Sequence, residues 1–373
     1  MLFRSLWVLQ NNARTALRFA GSEVTEEPVR TGAAKFDLTL GLQEEVDERG
    51  ASAGITGDLE FATDLFDRGT AAGLVDRLHR LLTVVADAPD TPVGAVDLLD
   101  PELRHRMLVE WNDTTVDIGP EVCAHEAFQT QAVRTPDAVA LVFNTERITY
   151  AELNAAANRL AHHLLAEGVD PGELVGVHLD RGPDLVIAVL AVLKAGGGYA
   201  MLDIAFPADR IAALVAETGA SIVIDDAYLA AADLAGRPAT DPAPTSASGD
   251  IACVMFTSGS TGRPKGVLAP HRALIGTFLG QSFADFGPGD VVLQCAPVSW
   301  DAFALELFGA LLFGGTCVLQ PGQSPEPAVI ARLIAEHGIT TVHVSASLLN
   351  FLLDEYPGVF EGVRQVMTGG EAA

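Results

Sequence analysis

Hydroxyl, glycine and lysine residues are concentrated in the segment 257–266, which reads Thr-Ser-Gly-Ser-Thr-Gly-Arg-Pro-Lys-Gly. Glycine lets backbone N–H groups turn toward an anion, hydroxyl groups donate further hydrogen bonds, and lysine adds positive charge. The spacing is not that of a Walker loop, because Pro264 precedes Lys265 and Gly266 follows it. Serine, threonine and glycine are also common in flexible surface turns. The Pro-Lys-Gly end favours the interpretation of this segment as a phosphate-binding loop.

The 373-residue chain is strongly acidic, with a formal net charge of −26. It repels polyanions, and no cluster of lysine and arginine reverses the charge locally. We therefore expect neither nucleic acid nor an anionic membrane as a partner. A single nucleotide is compatible with this charge, because a local loop and Mg²⁺ offset its phosphates.

Cysteine usage indicates a reducing compartment. The four cysteines lack the spacing of metal ligands and form no dense framework. The first ten residues are apolar but include Arg4 and continue into polar residues, which is not the order of a signal peptide. No apolar run reaches the roughly 18–20 residues of a membrane span. We expect a cytoplasmic protein with mostly buried free thiols at Cys123, Cys253, Cys295 and Cys317.

From about Val122 onward, strand-like apolar runs alternate with helical stretches, and one run leads directly into the 257–266 segment. Such alternation is typical of an α/β fold in which helices cover both faces of a largely parallel sheet. We expect strands at 138–143, 174–179, 221–224, 251–256, 291–295 and 363–367. We expect helices at 150–167, 183–195, 207–218, 270–283 and 303–313.

The pattern before residue 115 is different. Apolar and polar residues alternate over 36–43, which predicts a strand, and a second extended stretch follows at 59–61. Helical spacing from Leu74 to Val85 predicts a helix with Thr70 as its cap. The opening strands have no obvious partners of their own. We therefore expect this part to be the tail of a larger α+β domain.

The 257–266 segment resembles the phosphate loop of the adenylate-forming, AMP-binding superfamily. That superfamily includes acyl-CoA synthetases, luciferases and the adenylation domains of nonribosomal peptide synthetases. The resemblance implies the α/β fold of the superfamily's N-terminal subdomains, with largely parallel, helix-covered sheets. Four further segments resemble core motifs of the superfamily in the same order and spacing, namely 148–153, 193–207, Trp300-Asp301-Ala302 and 368–372.

The first hundred residues select one branch of the superfamily. The segments 6–11, 35–38 and 60–66 resemble the C-terminal part of a condensation domain, and 111–114 resembles the linker into an adenylation domain. The chain is thus similar to an internal segment of a nonribosomal peptide synthetase. The resemblance implies a condensation-domain remnant at 1–100, a linker at 101–120 and the N-terminal part of an adenylation domain at 121–373.

The reaction implied by this resemblance is amino acid adenylation. ATP and an amino acid form an aminoacyl-AMP, which is loaded onto the phosphopantetheine thiol of a downstream carrier domain, with Mg²⁺ sharing the phosphate charge. The resemblance implies that Trp300 lies by the substrate carboxylate and that Gly369, Gly370 and Glu371 edge the adenine. It implies that the β- and γ-phosphates are held by Thr257, Ser258, Gly259, Ser260, Thr261, Gly262 and Lys265.

Asp301 stands where amino-acid-activating members hold the substrate's α-ammonium group. A carboxylate suits that role because a charge-assisted hydrogen bond contributes roughly 1.5–3 kcal/mol. The alternative role is that of a helix cap, and both roles are compatible. The resemblance gives a pocket lined by Trp300, Asp301, Ala302, Leu305, His343, Met367 and Gly369, with further lining residues expected beyond Ala373.

His343 is the single polar side chain among the apolar members of this pocket. It is compatible with a hydroxyl, carboxamide or carboxylate on the substrate, for example the hydroxyl-bearing ring of a hydroxyphenylglycine. A lone histidine on a strand is also often a satisfied core residue. The sequence leaves both interpretations open and does not name the amino acid.

The segment 162–168 imitates the His-His-x-x-x-Asp-Gly motif of condensation catalysis, but Glu167 replaces the aspartate. It lies inside the adenylation region on an amphipathic helix, so we interpret it as a solvated helical face. The family's later acidic Mg²⁺ ligand, ribose aspartate and C-terminal lysine have no counterpart before Ala373. We therefore expect no complete catalytic set, no metal ligands and weak or absent activity. Alternatives are a phosphotransferase or ATPase, another ATP-dependent acyl-activating ligase, and a non-catalytic fragment.

Overall fold

The computed structural model describes residues 4–10, 20–21, 32–47, 49–257 and 265–370. The chain divides into two compact units, one up to Thr115 and the other from Val116 onward. Among the described helices, none combines the length and the apolar character that crossing a membrane requires. The four cysteines are buried free thiols, as expected.

The first unit contains a three-stranded sheet. Strand β1 (Ser5–Gln10) runs parallel to β2 (Leu38–Val46), and β2 pairs antiparallel with β3 (Ser52–Phe61). The expectation that these strands lack partners is wrong. A tight turn makes β2 and β3 a hairpin, because the Asp47 carboxylate accepts the N–H groups of Arg49 and Ala51.

Helix α1 (Arg68–Asp87) follows the sheet. Asp67 caps this helix, since its carboxylate accepts the N–H of Thr70 at 2.7 Å, and the prediction of Thr70 as the cap is wrong. This hydrogen bond lowers the pKa of Asp67. The connector contains a 3₁₀ turn (Val93–Ala95) and helix α2 (Pro101–Leu108), with a second 3₁₀ turn at Glu110–Asn112.

The second unit contains two sheets, whereas the sequence pattern alone indicated a single, largely parallel sheet. The five-stranded sheet has the order β10-β9-β7-β6-β8, and its pairs are parallel except for β9 with β10. Its strands are β6 (Leu174–Val177), β7 (Gly198–Met201), β8 (Val223–Ile224), β9 (Ile251–Thr257) and β10 (Lys265–Pro270).

The six-stranded sheet has the order β14-β13-β11-β12-β4-β5, and its pairs are parallel except for β4 with β5. Its strands are β4 (Val139–Phe143), β5 (Glu146–Thr149), β11 (Val291–Gln294), β12 (Thr316–Leu319), β13 (Thr341–Ser345) and β14 (Gln365–Gly369). The helices of this unit are α3 (Ala124–Arg134), α4 (Tyr150–Ala166), α5 (Pro183–Lys194), α6 (Ala208–Thr218), α7 (Asp226–Ala231), α8 (His271–Gly276), α9 (Asp301–Leu311), α10 (Pro327–His337) and α11 (Ala346–Glu355).

Helices α4 and α5 pack together in the main core of this unit. From Leu185 to Lys194 every residue of α5 except Ile187 is buried, because this helix is apolar all round. The buried Lys194 ammonium is paired with Asp241 at 2.9 Å. Tyr150 at the start of α4 donates its hydroxyl to the carbonyl of Gly315 at 2.8 Å, which joins α4 to the start of β12.

The prediction of a solvated helical face at 162–168 is confirmed for 166–168, which are exposed, and is wrong for the two histidines. His163 is 8% exposed, and its ring packs edge-on against Tyr228 at 5.8 Å. His162 Nε2 lies 3.0 Å from the carbonyl of Thr240. The chain after α7 covers this side of α4, so both histidines are packing residues.

Two helix bounds near the site differ from expectation. The helix predicted over 270–283 ends at Gly276, because turns and a left-handed Gly280 (φ +69°) follow it. The amide of Gln281 bridges this turn by donating to the carbonyl of Ala284 at 2.6 Å. Helix α9 begins at Asp301, two residues earlier than predicted.

Candidate active site

The hairpin β9–β10 brings the two ends of the predicted phosphate loop together. Thr257 and Lys265 face each other as register partners, and the Thr257 hydroxyl donates to the carbonyl of Lys265 at 3.4 Å. Residues 258–264 connect the strands and lie outside the described residues. The predicted contacts of Ser258, Gly259, Ser260, Thr261 and Gly262 therefore remain predictions.

Helix α9 carries two of the predicted site residues at its start. Trp300 occupies the N-cap position and is 56% exposed, and Asp301 is the first helical residue. The Asp301 carboxylate accepts the N–H of Ala302 at 2.9 Å. The N-cap role suggested for Asp301 is therefore wrong by one position, although a carboxylate here remains favoured by the helix dipole.

The neighbouring strands β13 and β14 present their carboxyl ends to the same region. Their register places His343 opposite Met367 and Ser345 opposite Gly369. Gly370 follows with a left-handed backbone (φ +92°). Glu371 lies outside the described residues, so its place beside the adenine is untested.

These elements enclose a cavity of about 530 Å³. The predicted pocket residues that line it are Trp300, Asp301, Ala302, Leu305, His343 and Gly369, joined by Gly370 from the predicted adenine side. Met367 is not among the lining residues, although it shares a face of β14 with Gly369.

Much of the apolar wall was not predicted from the sequence. Most of it comes from β9, which was expected only as a strand, and from α8 and the turn after it, where the sequence pattern indicated only a covering helix. A signal was nevertheless present, because aromatic residues alternate with glycine and polar residues just beyond Gly276. The additional residues are Cys253, Met255, Ala269, Ala273, Leu274, Thr277, Phe278, Phe283, Ala304 and Ser345.

Glu306 is a second feature that sequence reasoning missed. It is fully buried, and its carboxyl oxygens accept N–H groups from Ala296 at 3.0 Å, Cys295 at 3.1 Å and the Gln294 amide at 3.0 Å. Burial raises its pKa to about 8, against the opposing effect of these donors. A signal was present, since Glu306 is the one charged residue inside the apolar stretch 302–311.

His343 lies between this buried carboxyl and the cavity. Its Nδ1 is 4.0 Å from Oε1 of Glu306. Burial lowers the pKa of the imidazole, and nearby Asp301 partly opposes that effect. Within the described residues no group lies within hydrogen-bonding distance of this ring. The lowered pKa favours the neutral imidazole near pH 7, and the ring has hydrogen-bonding capacity left for a ligand.

The AMP-binding enzyme family matches residues 128–373, which include all of these elements. The chain belongs to this family. Family members form adenylates from ATP, generally with Mg²⁺. A dimodular nonribosomal peptide synthase of Bacillus subtilis (strain 168) is 35% identical over 100% of the chain, and tyrocidine synthase 3 of Brevibacillus parabrevis is 34% identical over 99%. The chain spans only 17% and 6% of the lengths of these two relatives.

Two solved structures share this fold. The AMPPNP-bound nonribosomal peptide synthetase FmoA3 superposes with a TM-score of 0.78 and 28% identity over 99% of this chain and 41% of that one. The N-terminal subdomain of Klebsiella oxytoca NpsA, solved with anthranilyl-AMSN, superposes with a TM-score of 0.62 and 27% identity over 68% of each chain. The α/β fold expected from the sequence is thereby confirmed.

Proposed function

We propose that this chain is part of an enzyme that adenylates an amino acid for nonribosomal peptide synthesis. The observation that carries the proposal is the position of Asp301, a carboxylate on the wall of an apolar cavity that also contacts strand β9 and the glycine turn. The adenylate-forming family supplies the reaction, and Asp301 supplies the preference for a substrate with an amino group. The match with synthetases over the whole chain, including its first unit, supports this branch.

In the proposed reaction a carboxylate oxygen of the amino acid bonds to the α-phosphorus of ATP. The bond between that phosphorus and the oxygen bridging to the β-phosphate breaks, and pyrophosphate leaves with that electron pair. Catalysis rests on positioning and on charge stabilisation. The Lys265 ammonium and the Thr257 hydroxyl, at the paired ends of the hairpin, hold the leaving phosphates together with the 258–262 segment. Mg²⁺ shares their charge when bound.

The remaining residues hold the other parts of the substrates. The Asp301 carboxylate accepts the α-ammonium group, and the exposed Trp300 ring shields the reacting carboxylate from water. Gly369 and Gly370 leave room for the adenine, since a Cβ built on either residue meets no atom within 4 Å. Glu371 borders the same adenine. Ala302, Leu305 and His343 face the amino acid side chain, and Met367 supports them from β14.

The wider assembly is part of the same proposal. Residues 1–100 form the C-terminal remnant of a condensation domain, 101–120 form the linker and 121–373 belong to the adenylation domain. The aminoacyl group passes to a phosphopantetheine thiol on a carrier domain. The free buried cysteines are compatible with work in the cytoplasm, a reducing compartment.

ATP–pyrophosphate exchange with a panel of amino acids tests the proposal. We expect exchange, or tight binding of an aminoacyl-adenylate analogue, with one amino acid or a narrow group. Asp301→Ala should weaken recognition of that amino acid about 10- to 100-fold, the equivalent of a lost charge-assisted hydrogen bond. Asp354→Asn, which changes an exposed carboxylate on α11, is the matched control.

Three results would contradict the proposal. Equal use of a carboxylic acid that lacks the amino group would remove the role of Asp301. Loss of ATP without exchange would indicate a phosphotransferase or ATPase. The absence of both exchange and adenylate binding would indicate a fragment without this activity.

A further inference from the structure

The cavity offers few polar groups that are free to bind a substrate side chain. The Thr277 hydroxyl donates to the carbonyl of Ala273 at 3.1 Å. The Ser345 hydroxyl accepts the N–H of Leu348 at 3.4 Å and caps α11. The Cys253 thiol is buried, and its pKa is raised to about 11. The Thr277 proton and the Ser345 hydroxyl, which also lies 3.3 Å from the Ser347 hydroxyl, are thus engaged in local hydrogen bonds, and a thiol is a weak hydrogen-bonding group.

Three polar side chains of the described wall remain. Trp300 and Asp301 are exposed at the start of α9 and are assigned to the carboxylate and ammonium groups common to all amino acids. His343 is the remaining polar side chain, and it is available to the side chain of the amino acid substrate. Its hydrogen-bonding capacity is unused within the described residues, so a wholly apolar ligand would leave the imidazole unpaired.

We propose that the cavity accepts an amino acid whose side chain is apolar except for one hydroxyl group, which hydrogen-bonds to the imidazole of His343. This inference rests on the proposed function and names the substrate class of the same site. A hydroxyl group needs a single strong partner, and a neutral imidazole both donates and accepts. Ala302, Leu305 and Phe278 accommodate the apolar part of the side chain.

Other polar side chains fit less well. A carboxylate would be buried near Asp301 and Glu306, and the described lining contains no lysine or arginine to pair with it. Within the described lining an ammonium group finds no free anion, because Asp301 is assigned to the α-ammonium group and the Glu306 oxygens accept backbone and amide N–H groups. A carboxamide requires several partners, and among the described residues of the wall His343 is the one left for it.

Glu306 lies behind this imidazole. It is fixed by its three N–H donors, and its Oε1 faces Nδ1 of His343 at 4.0 Å. Glu306 therefore lies on the Nδ1 side of the ring, which leaves Nε2 as the nitrogen available to the substrate hydroxyl.

Pairs of amino acids that differ by one hydroxyl group test this inference. Suitable pairs are phenylalanine with tyrosine, phenylglycine with 4-hydroxyphenylglycine, and valine with threonine. Their non-hydrolysable aminoacyl-adenylate analogues are titrated into the full chain by calorimetry. In at least one pair we expect the hydroxylated member to bind about tenfold or more tightly, because a site built around a hydroxyl group rejects the analogue that lacks it.

Substitution of His343 tests whether this residue causes the preference for the hydroxylated analogue. His343→Leu should reduce that ratio to below about threefold while the member without the hydroxyl group still binds. His343→Gln, which keeps hydrogen-bonding capacity, should restore part of the preference and also serves if the leucine variant fails to fold. His105→Leu, at an exposed histidine on α2, is the control and should leave the ratio unchanged.

The outcomes separate the two proposals. Binding without a hydroxyl preference, a preference that survives in both His343 variants, or tighter binding of aspartyl, lysyl or glutaminyl analogues overturns this inference alone. Failure of every aminoacyl-adenylate analogue to bind overturns the proposed function and this inference with it.

Discussion

A buried carboxyl group next to a substrate cavity is a costly feature, and Glu306 shows how its surroundings offset part of the cost. Ionising this group inside α9 is unfavourable because water cannot reach it, whereas N–H donors from Cys295, Ala296 and Gln294 favour the ionised form. Burial prevails, and the pKa is raised to about 8. The network thereby ties α9 to the end of β11, next to His343.

This shift predicts a pH-dependent contribution to stability. The folded pKa of Glu306, about 8, lies above the ordinary value of 4.5, so the folded protein retains a proton that the unfolded chain releases between those values. From pH 4.5 to pH 8 the free energy of unfolding therefore falls as pH rises, by at most about 1.4 kcal/mol per unit. In Glu306→Gln this fall should be absent.

Urea denaturation of the wild type and of Glu306→Gln at several pH values between the ordinary and the raised pKa measures the effect. Histidines with lowered pKa values, such as His125 and His343, act in the opposite direction, but they are present in both proteins and cancel in the comparison. The stability advantage of the wild type should shrink as the pH approaches the raised pKa. An advantage that grows with pH would show that the carboxylate is ionised and stabilising.

The sequence identified single residues where their type was rare or their motif was complete. Asp301, Trp300 and Lys265 were found in this way, and the structure places the first two on the cavity wall. Phe278 and Phe283 were missed because their side chains reach the cavity from a turn, and a turn has no periodicity to predict. Glu306 was missed because helical position alone does not reveal burial.

At the scale of elements, α9 carries both Asp301 and Glu306, so its position determines the geometry of the site. Gly309 on this helix lies against the ring of Phe286, where an added Cβ would come within 2.6 Å of a ring carbon. That ring is held by stacking on Phe313 at 5.7 Å and by edge contact with Phe278 at 5.7 Å. The glycine permits this close approach.

Gly309→Ala should therefore destabilise the protein by about 1–3 kcal/mol, because overpacking outweighs the higher helix propensity of alanine. Gly73→Ala is the matched control, since Gly73 lies inside α1 and its added Cβ meets no atom within 4 Å. That control should be neutral or stabilise by up to about 1 kcal/mol. Urea denaturation compares the two, and an equal effect of both substitutions would contradict the packing argument.

Element prediction succeeded where periodicity was long and failed at pairings and ends. Helices α4, α5 and α6 match their expected ranges closely because their apolar spacing is regular. The helix predicted over 270–283 was too long, since it ends at Gly276 and is followed by a turn that contains the left-handed Gly280 and the bridging amide of Gln281.

For the whole molecule, the alternation of strands and helices predicted the α/β class but not the number of sheets. Strand β4 pairs with β12, and Thr316 at the start of β12 donates its hydroxyl to the carbonyl of Val139. Such pairing joins residues far apart in the chain and is decided by tertiary packing. The cavity lies between the two sheets, since β9 belongs to one sheet whereas β13 and β14 belong to the other.

A ligand bridging the two sheets should protect both from local unfolding. At about 100 times its dissociation constant, a ligand stabilises the folded state by about 2.7 kcal/mol. With a saturating aminoacyl-adenylate analogue, we expect slower amide hydrogen exchange in β9, α9, β13 and β14, with α1 as an internal reference. Mass spectrometry measures this exchange. Protection confined to one sheet would show that the ligand contacts only one side of the cavity, and the proposed placement of both substrates would then be wrong.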